Sequence, residues 1–215
     1  MLNESFLKLC NAYPNAFVYL FEKDGVCWMG AFSEVLGHFD KKTEQFKTMS
    51  LAGTLPVEKN WGQKEIDEQQ PVTDYILATL KEFSGEIAAS DTRDHISGNI
   101  KHLRTDFTAK ISAEKIPALI AALHPTPAVC GIPKDVCRPA IDQFEKYPRS
   151  LYAGYIKIET PEEIFYFVNL RCAEFFRNGT LIHVGGGITA LSVPEKEWHE
   201  TELKAAAVLN NLVNA

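Results

Sequence analysis

Apolar positions along this chain recur in two periods, and the switches between them divide it into hairpins and helices. Phe6, Leu7, Leu9 and Cys10 predict a short helix over 1–12. Two apolar runs, 16–21 and 26–32, flank Lys23-Asp24-Gly25 and read as a hairpin. A third strand is predicted over 45–51, ending in the turn Ala52-Gly53-Thr54. From 64 to 83 the period becomes helical, through Ile66, Val72, Ile76, Leu77 and Leu80. Pro71 should kink that helix or open a second segment. An alternating strand around Ile100, Leu103, Thr105 and Phe107 follows Ser97-Gly98-Asn99. Helices over 112–123 and 134–146 bracket a loop at 124–133. Strands over 151–158, 164–176 and 180–188 then lead to a last helix, opened by Ser192-Val193-Pro194-Glu195. Hairpins with interspersed helices predict an α+β fold, a layered antiparallel or mixed sheet with packed helices, rather than a doubly wound one.

Composition narrows the picture. The 215 residues suffice for one domain with a sizeable core. A formal charge of −6 argues against a nucleic-acid footprint. No apolar run is long enough to span a bilayer, and MLNESFLKLCNAYPN lacks the basic start and cleavage site of a signal peptide. The five cysteines have no zinc-ligand or redox spacing, which points to reduced thiols in a cytoplasmic protein. Asn178-Gly179-Thr180 matches a glycosylation acceptor and reads here as a turn.

Candidate chemistry concentrates at the C-terminus. Gly185-Gly186-Gly187 lets backbone approach a ligand closely. On the helix that follows, Glu197, Glu200 and Lys204 stand at i, i+3 and i+7 and share a face. Two carboxylates suit a hard divalent cation and the ammonium suits an anion; the same pattern is also that of a solvated helix face. Glu65 and Glu68 form a second such pair, and the two pairs can converge on one metal. An acidic helix start explains Glu65 equally well. Glu34 reads as an exposed strand end. Arg171, in an apolar strand over 165–173, needs either a protein carboxylate or an anionic ligand. His102 has no spacing partner that would make it a metal ligand, so a structural role is its default.

Nine stretches occur in one order: GAFSE (30–34), LAGT (51–54), KEIDEQ (64–69), KHL (101–103), HPTPAVCGIP (124–133), RSLYAG (149–154), LRCA (170–173), GGGI (185–188) and PEKEWHETELK (194–204). Together they resemble the chorismate-utilising enzymes, which include isochorismate, salicylate, anthranilate and aminodeoxychorismate synthases. The resemblance covers nearly the whole chain. It implies Mg²⁺ held directly by Glu68 and Glu200, with Glu65 and Glu197 reaching it through water. The ring carboxylate of chorismate would sit on the metal, near Lys204, Gly185 and Gly187. Arg171 and Tyr152 would hold the enolpyruvyl carboxylate, Gly53 and Thr54 would line the ring site, and His102 of KHL would join the substrate-binding set. Glu34 matches the general acid that protonates the leaving C4 hydroxyl.

LAGT without a following arginine, and EW in the last helix, lean toward isochorismate synthase, for menaquinone or a catechol siderophore. An anthranilate- or aminodeoxychorismate-synthase component and a non-catalytic chorismate-binding fragment are the alternatives. The chain departs from the family at Phe32-Ser33-Glu34, where relatives carry Ser-Pro-Glu, and its link from Thr54 to Glu68 is short. Family members are about twice as long, and their general-base lysine lies upstream of the GAFSE position. Lys8 and Lys23 do not match that motif. The expectation is the C-terminal, chorismate-binding portion of such an enzyme, weakly active or inactive alone. Exposed apolar strand edges would then favour self-association or pairing.

Overall fold

The computed structural model describes residues 2–32 and 34–213; Ser33 of the GAFSE stretch lies outside the described residues. Helix α1 (Leu2–Ala12) precedes the hairpin β1 (Phe17–Lys23) and β2 (Val26–Phe32), as the apolar runs predict. Strands β3 (Val35–Asp40) and β4 (Gln45–Pro56) follow, then α2 (Gln63–Phe83). Short β5 (Ile87–Ala89) and β6 (Arg93–Ser97) lead to the long β7 (Ile100–Lys110). Helices α3 (Ile116–Leu123), α4 (Pro127–Cys130) and α5 (Lys134–Phe144) come next. Strands β8 (Tyr155–Glu159), β9 (Glu163–Val168), β10 (Cys172–Phe176) and β11 (Gly179–His183) precede the closing α6 (Pro194–Leu209).

Among the described residues the strands form two sheets. A four-stranded sheet runs β1-β2-β10-β11, and a seven-stranded one runs β5-β7-β4-β3-β9-β8, with β6 also on β7. The pairings within both are antiparallel, and with the packed helices they make the expected α+β layers. Val72, Ile76 and Leu80 of α2 and Leu119, Ile120 and Leu123 of α3 share a buried cluster with Phe39, Phe46 and Phe107 of the larger sheet. Leu9 of α1 packs instead with Met29 and Ala31 of the smaller one. The two sheets touch through aromatic rings: Phe17 of β1 stacks on Phe167 of β9 at 4.4 Å between centroids and 8° between planes.

Several sequence expectations need correction. Helix α2 runs unbroken past Pro71, because Val72, Ile76 and Leu80 are all driven into the same core. Strand β4 does not end at Ala52-Gly53-Thr54 but continues to Pro56; its register with β7 slips between Ala52 and Leu55, and Gly53 takes φ +70° in that bulge. The apolar run 164–176 is not one strand. It breaks at Asn169-Leu170-Arg171, so β9 and β10 enter different sheets, and Arg171 adopts φ +47° at the break. Residues 151–154 are a turn rather than the start of a strand, pinned by Ala153 N–H to Asn169 O at 2.8 Å and Asn169 N–H to Gly154 O at 2.8 Å. Strand β11 stops at His183, leaving the glycines in an extended loop, and α5 stops at Phe144. The 124–133 segment contains the short α4, and β3, β5 and β6 have no counterpart among the predicted strands.

Candidate active site

The chain crosses between the sheets twice, at neighbouring places. The first crossing, from β2 to β3, carries Glu34; the second, from β9 to β10, carries Arg171. Val168 N–H donates to Glu34 O at 3.3 Å and ties the crossings together. Glu34 is therefore buried, 6% exposed, and not the open strand end expected from sequence. Burial pushes its carboxyl up to about 7, against the pull of Arg171 and Lys204.

Arg171 reaches into the same cavity. Its guanidinium donates to Ser97 Oγ at 3.0 Å and to His102 Nε2 at 2.7 Å. Among the described residues no carboxylate forms an ion pair with it. A guanidinium has donors only, so His102 Nε2 must accept and Nδ1 must carry the ring proton. That proton points at Gly53 O, 3.0 Å away, and Thr54 Oγ1, 3.1 Å away. Burial, then the Arg171 charge, holds His102 well below the usual imidazole range, so the ring is neutral. The LAGT bulge thus fixes the tautomer of His102, and His102 aims Arg171.

The cavity is about 160 Å³ and is lined by Glu34, Gly53, Thr54, Glu68, His102, Tyr152, Arg171, the three glycines and Lys204. Tyr152 comes from the pinned 151–154 turn and stacks on His183. Burial pushes its hydroxyl up to about 12, so it stays a donor at neutral pH. A Cβ on Gly185 would lie 2.7 Å from Tyr152 Oη, and one on Gly187 would collide with the Glu68 carboxylate. At those two positions the absence of a Cβ lets Tyr152 and Glu68 lie close against the loop backbone.

Helices α2 and α6 bring their acidic faces together. Lys64 Nζ lies 3.1 Å from Glu197, 3.4 Å from Glu68 and 3.9 Å from Glu200. Lys204 Nζ donates to Glu200 Oε1 at 2.7 Å and to Gly185 O at 2.9 Å. Glu197 and Glu200 are each 8% exposed, which rules out a solvated face. Burial raises the Glu68 carboxyl, opposed by Lys64, and among the described residues Glu68 Oε2 has no hydrogen-bond partner within normal geometry, the ammonium standing off at 3.4 Å.

Glu65 also has a structural role. Its carboxylate accepts Gly62 N–H at 3.0 Å and caps the start of α2, satisfying one of the orphan donors there. Among the described residues, no three carboxylate, imidazole or thiol side chains are arranged to hold a metal ion. The cation among the carboxylates is Lys64. The donor set nonetheless suits Mg²⁺: oxygen ligands from two helices, one with an unused lone pair, beside glycine backbone that leaves room for a ligand. Sequence reasoning missed Lys64, whose i, i+4 spacing to Glu68 was the available signal. It also missed Ser97 and Arg149; Arg149 walls the cavity mouth and pairs with Glu145 at 2.6 Å.

Known proteins resemble this chain in sequence and in fold. The family model for chorismate binding enzymes matches residues 2–213. Isochorismate synthase EntC of Escherichia coli strain K12 is 30% identical over 202 residues, 87% of this chain and 51% of EntC. The structure of DhbC from Bacillus anthracis, described as a 2,3-dihydroxybenzoate-specific isochorismate synthase, superposes with a TM-score of 0.87 at 25% identity. It covers 98% of this chain and 61% of that one. MenF, the menaquinone-specific isochorismate synthase of Escherichia coli, shares the fold with a TM-score of 0.85 at 24% identity, over 98% of this chain and 52% of MenF. The chain spans about half the length of the curated relatives it matches. Over nearly all of its length, it belongs to the chorismate-binding enzyme family.

Proposed function

We propose that the Arg171 cavity binds chorismate and that the activity it serves is Mg²⁺-dependent isochorismate formation, for menaquinone or siderophore biosynthesis. The observation that carries this reading is the Arg171 guanidinium, directed into a cavity with no carboxylate partner among the described residues. A buried cation needs an anion, and here the open side faces the cavity. Arg171 and the Tyr152 hydroxyl would take the enolpyruvyl carboxylate. Glu68 and Glu200 would hold Mg²⁺, which when bound would neutralise the ring carboxylate. Gly185 and Gly187 would let that carboxylate approach the backbone.

Glu34 is the acid. Its carboxyl, raised to about 7, keeps a substantial protonated fraction at neutral pH and can donate to the C4 oxygen as that group leaves. Water adds at C2 and must lose a proton. The lysine lining the cavity, Lys204, is engaged by Glu200 and Gly185 O and is a poor base as placed. The chain alone should therefore bind chorismate far better than it turns it over.

Calorimetric titration with chorismate and Mg²⁺, with product analysis, tests this. Micromolar binding that falls roughly tenfold to a hundredfold in Arg171→Ala is expected for loss of a charge-assisted contact. Unchanged affinity in that variant would remove the basis of the reading. Ammonia-dependent formation of an aminated product would instead identify an anthranilate-type enzyme.

A further inference from the structure

Lys64 differs from Lys204 in how it is held. Lys204 makes two short contacts, at 2.7 and 2.9 Å, and is locked to α6 and the glycine loop. Lys64 is shared among three carboxylates at 3.1, 3.4 and 3.9 Å, all longer than the roughly 2.7–2.9 Å typical of a tight charge-assisted bond. Its ammonium lies among carboxylate oxygens of both helices, including those of Glu68 and Glu200, the residues that would hold a divalent cation. A cation held there would compete with the Lys64 ammonium through charge repulsion and for the same lone pairs. Lys64 also lines a second cavity of about 370 Å³ on the far side of the cluster, beside Leu191, Val193 and Lys196, so its flexible side chain has room to leave.

We propose that Lys64 is a built-in counter-ion, which neutralises the Glu68–Glu197–Glu200 cluster in the metal-free protein and is expelled into the second cavity when a divalent cation binds. The inference rests on the reading that Glu68 and Glu200 take the metal. Without Lys64, three buried carboxylates would face one another with Lys204 as the ammonium left in contact with them among the described residues. With it, the two helices hold their spacing before metal arrives, and metal affinity is lowered by the competition. Coupling of this kind is reciprocal: what Lys64 takes from metal binding, metal takes from the Lys64 contacts.

The test uses the whole metal-stripped chain and Mg²⁺ alone, without chorismate. Lys64→Met should bind Mg²⁺ about tenfold more tightly than wild type, within the usual range of such couplings. Its metal-free form should melt at lower temperature, and Mg²⁺ should raise its melting temperature more than it raises that of wild type. In wild-type protein, which avoids any folding defect of the variant, Mg²⁺ should increase acetylation of Lys64 by acetic anhydride severalfold, read by peptide mass spectrometry. Mg²⁺ affinity equal to or weaker than wild type in Lys64→Met, with Lys64 labelling unchanged by metal, overturns the proposal. Glu200→Gln separates the two readings: if it loses Mg²⁺ binding while Lys64→Met binds like wild type, the counter-ion role fails and the metal site stands. Absence of Mg²⁺ binding in all three proteins overturns both.

Discussion

His102 Nε2 accepts a hydrogen bond from Arg171 at 2.7 Å while the opposite ring nitrogen is fixed by Gly53 O. The imidazole is thus a rigid spacer between the bulge of β4 and the anion-binding guanidinium. His102→Phe keeps the ring and removes the acceptor. The expected result is a rise in chorismate Kd of about tenfold, near the net value of a hydrogen bond to a charged group, with any residual kcat changed much less. Parallel calorimetry and steady-state kinetics measure the two effects separately.

Glu34→Gln should reduce residual turnover by ~10²–10⁴-fold, the usual contribution of a positioned acid. It should also change two pH dependences. Chorismate is anionic, so wild-type affinity should weaken as pH rises past about 7, where Glu34 ionises, and the variant should lack that inflection. Stability follows the same group. Its folded-state value is raised from 4.5 to about 7, so its contribution is complete below 4.5 and is lost as pH rises through 7. The loss is about 3 kcal/mol, from about 1.4 kcal/mol per pH unit. Glu34→Gln should therefore melt higher than wild type at pH 8 and lose that advantage near pH 4.

Gly187→Ala places a methyl group against the Glu68 carboxylate. The loop or the carboxylate must move, and the expected outcome is a Mg²⁺ affinity lowered at least tenfold with the fold retained. Circular dichroism and metal titration of the same sample test both parts. Wild-type affinity would mean that the glycine loop yields without disturbing Glu68.

Glu65→Ala separates helix capping from metal binding. Loss of the bond to Gly62 N–H should cost about 1 kcal/mol of stability, the typical value of a helix cap. Glu68→Ala should instead abolish Mg²⁺ binding and affect the melting temperature less. Denaturant unfolding with and without Mg²⁺ measures each variant on both scales.

The helices and the first hairpin were legible because their apolar periods are long and uninterrupted. The acidic face of α6 was legible from the spacing of Glu197, Glu200 and Lys204, and Arg171 from its charge among apolar neighbours. The crossings between sheets were not. From Phe165 to Phe176 the apolar run barely breaks, and the period of a strand does not record which sheet it enters. Glu34 looked exposed for the same reason: its burial comes from β9 and β10, more than 100 residues away along the chain. The acidic start of α2 was legible at Glu65, and the structure adds its partner, the Gly62 N–H that the carboxylate caps. Lys64 was invisible as a bridge because its partners on α6 meet it only after the two helices dock.

The ring stack of Phe17 on Phe167 acquires a meaning beyond core filling. Glu34 and Arg171 sit at the seam where one sheet hands the chain to the other, and the stacked rings close that seam. Phe17 and Phe167 thus brace the joint from which the acid and the anion clamp both project, without lining the cavity themselves.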